Sequence, residues 1–141
     1  MKYLITFIQL STIFNISEAA TIAIHSMALI AKNETGLNAI QISEMTGFSK
    51  NHISKVLQQL VKNGLLSSTR GPKGGFVLKR EAKEINFFEI YKYIEGDLDS
   101  ETGCRIRCDD CPFKACIMGG FRLKFNNEFK KYLETMNLSM V

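Results

Sequence analysis

Apolar residues between Ser17 and Ala31 (Ala20, Ile22, Ala23, Ile24, Met27, Ile30 and Ala31) recur at mixed three- and four-residue steps, which predicts a buried helix. Ser17 followed by Glu18 is a good start signal for it. Met1 to Ile16 shows no clear period, and residues 1–15 are read as an extension of unknown role.

The next stretch, LNAIQISEMTGFSKNHISKVLQQLVKNGLL, carries two helical patterns separated by glycine. The first predicts a short helix from about Ala39 to Thr46, with Ile42 and Met45 facing inward and Gly47 ending it in the left-handed conformation. Ser49 is placed to cap the second, which runs to about Asn63 and puts Ile53, Val56, Leu57, Leu60 and Val61 on one side. Two helices joined by a tight glycine turn form a helix-turn-helix. The other face of the second helix carries Lys50, Asn51, His52, Ser54, Lys55, Gln58 and Gln59. Asn and Gln match the edge of adenine, and Lys matches guanine or phosphate.

Behind this helix, Leu65 to Arg70 and Phe76 to Lys79 are β-prone runs flanking Gly71-Pro72-Lys73-Gly74-Gly75, which predicts a hairpin. A hairpin following a recognition helix is a winged helix. It would carry Arg70, Lys73, Lys79 and Arg80 to phosphates or a minor groove. The expected DNA-binding set is Ser49, Lys50, Asn51, His52, Ser54, Lys55, Gln58, Arg70 and Lys73.

Helical spacing returns at Ile85, Phe88, Ile90, Tyr91 and Ile94, followed by an acidic stretch from Glu95 to Glu101 read as a linker. From about Phe113 to Met136 the residues Ile117, Phe121, Phe125, Phe129, Tyr132, Leu133 and Met136 form a mostly four-residue stripe. Such a stripe predicts a long terminal helix and a homodimer. Gly119 and Gly120 weaken its first turns by about 1 kcal/mol each relative to Ala.

Charge sharpens this picture. Residues 37–83 hold eight basic and two acidic side chains, a local +6, so the rest of the chain is −2 against a total of +4. A polyanion-binding segment on a near-neutral scaffold follows. With 141 residues, 45% hydrophobic and 23% charged, the chain has the make-up of one ordinary soluble domain. No apolar run is long enough for a membrane span, and the N-terminus has no convincing signal-cleavage site, so a cytoplasmic location is expected.

All four cysteines, Cys104, Cys108, Cys111 and Cys116, fall within thirteen residues, spaced C-x3-C-x2-C-x4-C. Three chemistries fit. An iron–sulfur cluster (4Fe-4S or 2Fe-2S) tolerates irregular spacing in one loop and often shows a Cys-Pro pair such as Cys111-Pro112. A structural zinc site prefers paired C-x2-C knuckles, of which only Cys108 and Cys111 make one. A thiol–disulfide switch needs only reactive, exposed sulfurs.

The run SKNHISKVLQQLVKNGLLSSTRGPKGGFVL, then EINFFEIYKYIEG, a cysteine loop and a terminal helix, resembles the IscR/NsrR type of winged-helix regulators, the Rrf-two family, over roughly Ile16 to the C-terminus. The segment RGPKGGF is the most specific part. The resemblance implies a homodimer with a long dimerisation helix and, as in many members, an iron–sulfur cluster on three cysteines between the last two helices, positions that match the loop from Cys104 to Cys116. Where some relatives have a fourth histidine ligand after the last cysteine, Gly119 stands here. Other relatives take a ligand from the first helix of the partner subunit, and His25 lies near that position. A fourth cysteine within the loop makes an all-thiolate site simpler, leaving His25 as a packed helix residue.

The sequence therefore predicts a mostly α fold with a small β-hairpin wing: a winged helix-turn-helix with a long C-terminal dimerisation helix. Residues 16–83 form the DNA-binding domain, and 84–141 the dimerisation helices with a cluster loop at 103–116. The leading function is a DNA-binding transcriptional regulator, a repressor, sensing iron–sulfur, redox or nitric-oxide status. The alternatives are the same regulator with zinc or a thiol switch, and an electron-transfer protein. Two histidines, no nucleophile elbow and no phosphate loop argue against an enzyme.

Overall fold

The computed structural model describes residues 16–98, 108–118 and 120–141, so the extension at 1–15 and the expected ligand Cys104 lie outside it. Five helices and one hairpin follow in order: α1 (Glu18–Ala31), α2 (Ala39–Thr46), α3 (Lys50–Lys62), β1 (Leu66–Thr69), β2 (Gly75–Leu78), α4 (Phe87–Glu95) and α5 (Phe121–Thr135).

Helix α1 is the centre of the molecule. The Ser17 hydroxyl caps it by accepting from Ala20 N at 3.0 Å, and Ile22, Ala23, Met27 and Ile30 are buried along it. Helices α3 and α4 both pack against it, and its core continues through Ile42, Ile53, Leu57, Leu60, Leu65 and Ile90. The helix-turn-helix turn falls at Gly47, whose φ of 77° is left-handed, as expected. Met45, however, is 59% exposed rather than inward. Ala39 and Ile42 set the buried arc of this two-turn helix, and Met45 falls beyond its edge.

The hairpin is antiparallel, with Leu66 opposite Leu78 and Thr69 opposite Gly75. A third strand segment joins it: Leu37 N donates to Phe76 O at 3.1 Å and Phe76 N to Leu37 O at 2.7 Å. That pairing brings Gly36, at φ 80°, so close that a Cβ there would lie 2.6 Å from Phe76 O.

Helix α5 begins at Phe121 rather than near Phe113, giving 15 residues in place of the longer stripe expected. Gly120 holds φ 71° and starts the helix, and Ile117 stands before it, 74% exposed. At the other end the chain folds back in a way the apolar pattern did not announce. Phe87 N donates to Met136 O at 2.9 Å and Leu138 N to Ile85 O at 3.1 Å, seating buried Leu138 beside the start of α4. Between α4 and α5, Tyr91 meets Phe129 edge-on at 5.5 Å and the Lys130 ammonium lies over the Phe88 ring at 5.0 Å.

The tight approach at Gly36 makes a direct prediction. Gly36→Ala should lower stability by about 1–3 kcal/mol through clash and a left-handed backbone unsuited to alanine. Urea unfolding measures this, and a variant as stable as the parent would contradict the close pairing of Leu37 with Phe76.

Candidate nucleic-acid interface

Amphipathic α3 buries Ile53, Val56, Leu57 and Leu60 and thereby turns Lys50, Asn51, Lys55 and Gln58 to solvent. Ser54 is partly buried between them, and Ser49 is exposed at the N-cap without making a side-chain capping bond. His52 is half-buried, with Nδ1 3.7 Å from a Glu18 carboxylate oxygen, so it connects the start of α3 to α1. The hairpin carries exposed Arg70 to a cleft also lined by Gln58, and exposed Lys73 to an adjoining recess. The expected DNA-binding set is thus distributed between one helix face and the wing facing it. Lys50, Lys55, Arg70, Lys73 and Lys79 form no ion pair among the described residues, leaving their charges available to a polyanion.

Two residues placed on this surface from the sequence are engaged elsewhere. Arg80 donates to Glu89 through Nη1 at 2.6 Å and Nη2 at 3.1 Å, and to Glu84 O at 2.7 Å, so it fastens the end of the wing to α4. The Glu89 hydrogen bond raises the pKa of Arg80 above its ordinary value. Gln59 donates from Nε2 to Tyr93 O at 2.6 Å, joining the last turn of α3 to the last turn of α4. Long-range pairs of this kind leave no periodic signature; a lone Arg-to-Glu spacing of nine residues is not a helix-face spacing.

The cysteine segment follows α4. Asp97 lies 3.0 Å from Lys92 and 4.0 Å from Lys130, and Asn126 Nδ2 donates to Leu98 O at 3.4 Å, so the chain leaving α4 is held by α5. Cys108 opens a short 3-10 turn with Asp109 and Asp110. Cys111 is half-buried and Cys116 exposed, and both are free thiols. With Cys104 outside the described residues, no group of three metal-ligating side chains is assembled among those described. The donor set itself, soft thiols close in sequence on one segment, is suited to iron–sulfur or zinc ligation. His25 is exposed rather than packed: its Nδ1 is 2.8 Å from Thr21 O and its ring meets Phe48 edge-on at 6.3 Å.

A helix-turn-helix, a two-stranded wing and a basic face opposite a hydrophobic core define the winged-helix class of regulators. The profile of the Rrf2 family, described as iron-dependent transcriptional regulators, matches residues 16–141, and the chain belongs to that family. The HTH-type transcriptional regulator IscR of Klebsiella pneumoniae is 36% identical over 85 residues, 59% of this chain and 52% of that protein. The chain spans about half the length of the curated relatives it matches. T. potens IscR superposes with a TM-score of 0.71 at 21% identity over 89% of this chain and 84% of that one. CymR of B. subtilis, titled a global cysteine regulator, gives 0.71 at 23% identity over 89% and 94%. These two likenesses establish the fold. The relatives are transcriptional regulators rather than enzymes, and no helix among the described residues is long and apolar enough to cross a membrane.

Arg80→Ala should lower stability by about 0.5–1 kcal/mol, a figure kept small by the partial exposure of the pair. Lys73→Ala should leave stability unchanged. Thermal unfolding of the two variants tests this, and equal midpoints would show that Arg80 is not a fastening.

Proposed function

We propose that the chain acts as a cytoplasmic, homodimeric repressor that binds an operator through α3 and the wing and reports the state of an iron–sulfur cluster on its cysteine loop. The observation that carries this reading is that α4, which is bonded to both DNA-facing elements, precedes in the chain the segment that holds Cys111 and Cys116 as free thiols. In this reading Asn51 and Lys55 contact bases, Ser49, Lys50, His52 and Ser54 line the helix–groove boundary, and Arg70 and Lys73 hold backbone or minor groove. Exposed Phe121, Phe125 and Tyr132 share one face of α5 and supply an apolar surface for a second copy, which would place two recognition helices about one DNA turn apart.

Cys104, Cys108, Cys111 and Cys116 would hold the cluster, which when bound supplies redox-active iron on thiolates. The protein's own part is mechanical. Asp97 and Leu98 tie the segment leaving α4 to α5, Gln59 ties α4 to the recognition helix, and Arg80 ties α4 to the wing. In this reading a change in loop conformation is passed along the chain to α4, which is bonded to both DNA contacts. The exposure of Cys116 favours a thiol–disulfide switch as the second reading, with zinc as a third occupant of the same thiols.

Anaerobic purification followed by an absorption spectrum and iron and sulfide assays distinguishes these. A broad band near 400 nm with stoichiometric sulfide is expected and should vanish in Cys104→Ser, Cys111→Ser and Cys116→Ser, with Cys108→Ser less complete. Loaded and cluster-free protein should differ in operator affinity by about 1–3 kcal/mol. Zinc without sulfide, or equal affinities, would end this reading. On DNA, Asn51→Ala should cost about 1–3 kcal/mol and relax preference at one base step, whereas Lys73→Ala should weaken all sequences alike and reduce the salt slope by about one. Equal losses on specific and random duplexes for both variants would refute the division of roles.

A further inference from the structure

The cleft between α3 and the hairpin has a volume of about 340 Å³ and is lined by Asn38, Gln58, Ser68, Thr69 and Arg70 together with hairpin glycines and Phe76. A second recess, lined by Thr35, Gln41 and Lys73 among others, shares Asn38 and Gly74 with it. The two adjoin at these shared residues and together form a trough beside the hairpin. Neither lining contains a carboxylate.

Local hydrogen bonding leaves donors on offer in this trough. Asn38 Oδ1 already accepts from Gln41 N at 2.9 Å, and Asn38 N donates to Gln41 Oε1 at 2.9 Å, so the side-chain Nδ2 retains its hydrogens. Thr69 Oγ1 accepts from Gly75 N at 3.3 Å and keeps its own hydrogen to donate. Gln58 and Ser68 add an amide and a hydroxyl, and Arg70 and Lys73 add positive charge. Base edges offer donors and acceptors together, whereas phosphodiester oxygens only accept. A helix in one groove and a wing in the next must also have one backbone strand between them.

We propose that this trough seats the phosphodiester backbone of one DNA strand, with Asn38 and Ser68 as phosphate contacts and Gln58 turned to backbone rather than base. The inference rests on the DNA-binding reading above and adds Asn38 and Ser68, which lie outside the set picked from the sequence.

Asn38→Asp isolates the point. Aspartate caps a helix as well as asparagine does, so the fold keeps its cap, while the amide donor becomes an anion facing phosphate. Ser68→Glu places a charge on the opposite wall and serves as the second variant should the first not fold. The full chain and both variants are measured on a duplex selected by the protein from a random pool and on a scrambled duplex. Each variant should keep its unfolding midpoint and lose about tenfold or more on both duplexes alike, and the loss should shrink as salt screens the repulsion. Wild-type affinity in both variants, or a loss confined to the selected duplex, would overturn the assignment. So would inorganic phosphate or ATP binding that Asn38→Asp abolishes without changing affinity for the scrambled duplex. An unsubstituted chain that binds neither duplex would instead refute the DNA-binding reading itself, and the trough with it.

Discussion

Burial of Ile85, Phe87 and Ile90 in the core built on α1 fixes the position of α4, and polar bonds join that helix to α3 and to the end of the wing. Full burial of one isoleucine is worth about 1.5–3 kcal/mol, and one hydrogen bond nets about 0.5–1.5 kcal/mol. Apolar packing therefore holds α4 in place, while its weaker polar bonds set its exact relation to its neighbours. Gln59 to Tyr93 O and Arg80 to Glu89 are of that second kind. Such bonds can exchange without unfolding the core, a property needed by any element that passes a signal.

The same division explains which cations face solvent. Arg80, with a planar guanidinium, closes a two-pronged pair that a lysine could not match, and it sits where the wing meets α4. Lys50, Lys55, Arg70 and Lys73 lie farther from the carboxylates of α4 and stay without ion pairs among the described residues. No acidic side chain lines either recess between α3 and the hairpin, so the exposed cations there face no carboxylate.

Much of this was legible in the sequence because it is periodic or punctuated. The buried face of α3, the turn at Gly47 and the hairpin around Pro72 all follow from local pattern, and each lies where that pattern places it. What escaped depends on contacts between distant residues. Arg80 and Gln59 read as surface cation and surface amide until their partners on α4 are known. Met45 follows Ile42 at a helical step but falls beyond the short buried arc of α2, and the stripe before Phe121 is apolar without being helical because Gly120 starts the helix late. The return of Leu138 to Ile85 is a non-local pairing of short segments, for which spacing holds no signal.

Amide hydrogen exchange on cluster-loaded and cluster-free protein tests most directly whether α4 links the cysteine loop to the recognition helix. The account predicts that the last turns of α3 and α4, around Gln59 and Tyr93, change protection together when the cluster is removed. Changes confined to the segment holding Cys111 and Cys116, with both helix ends unaltered, would contradict it.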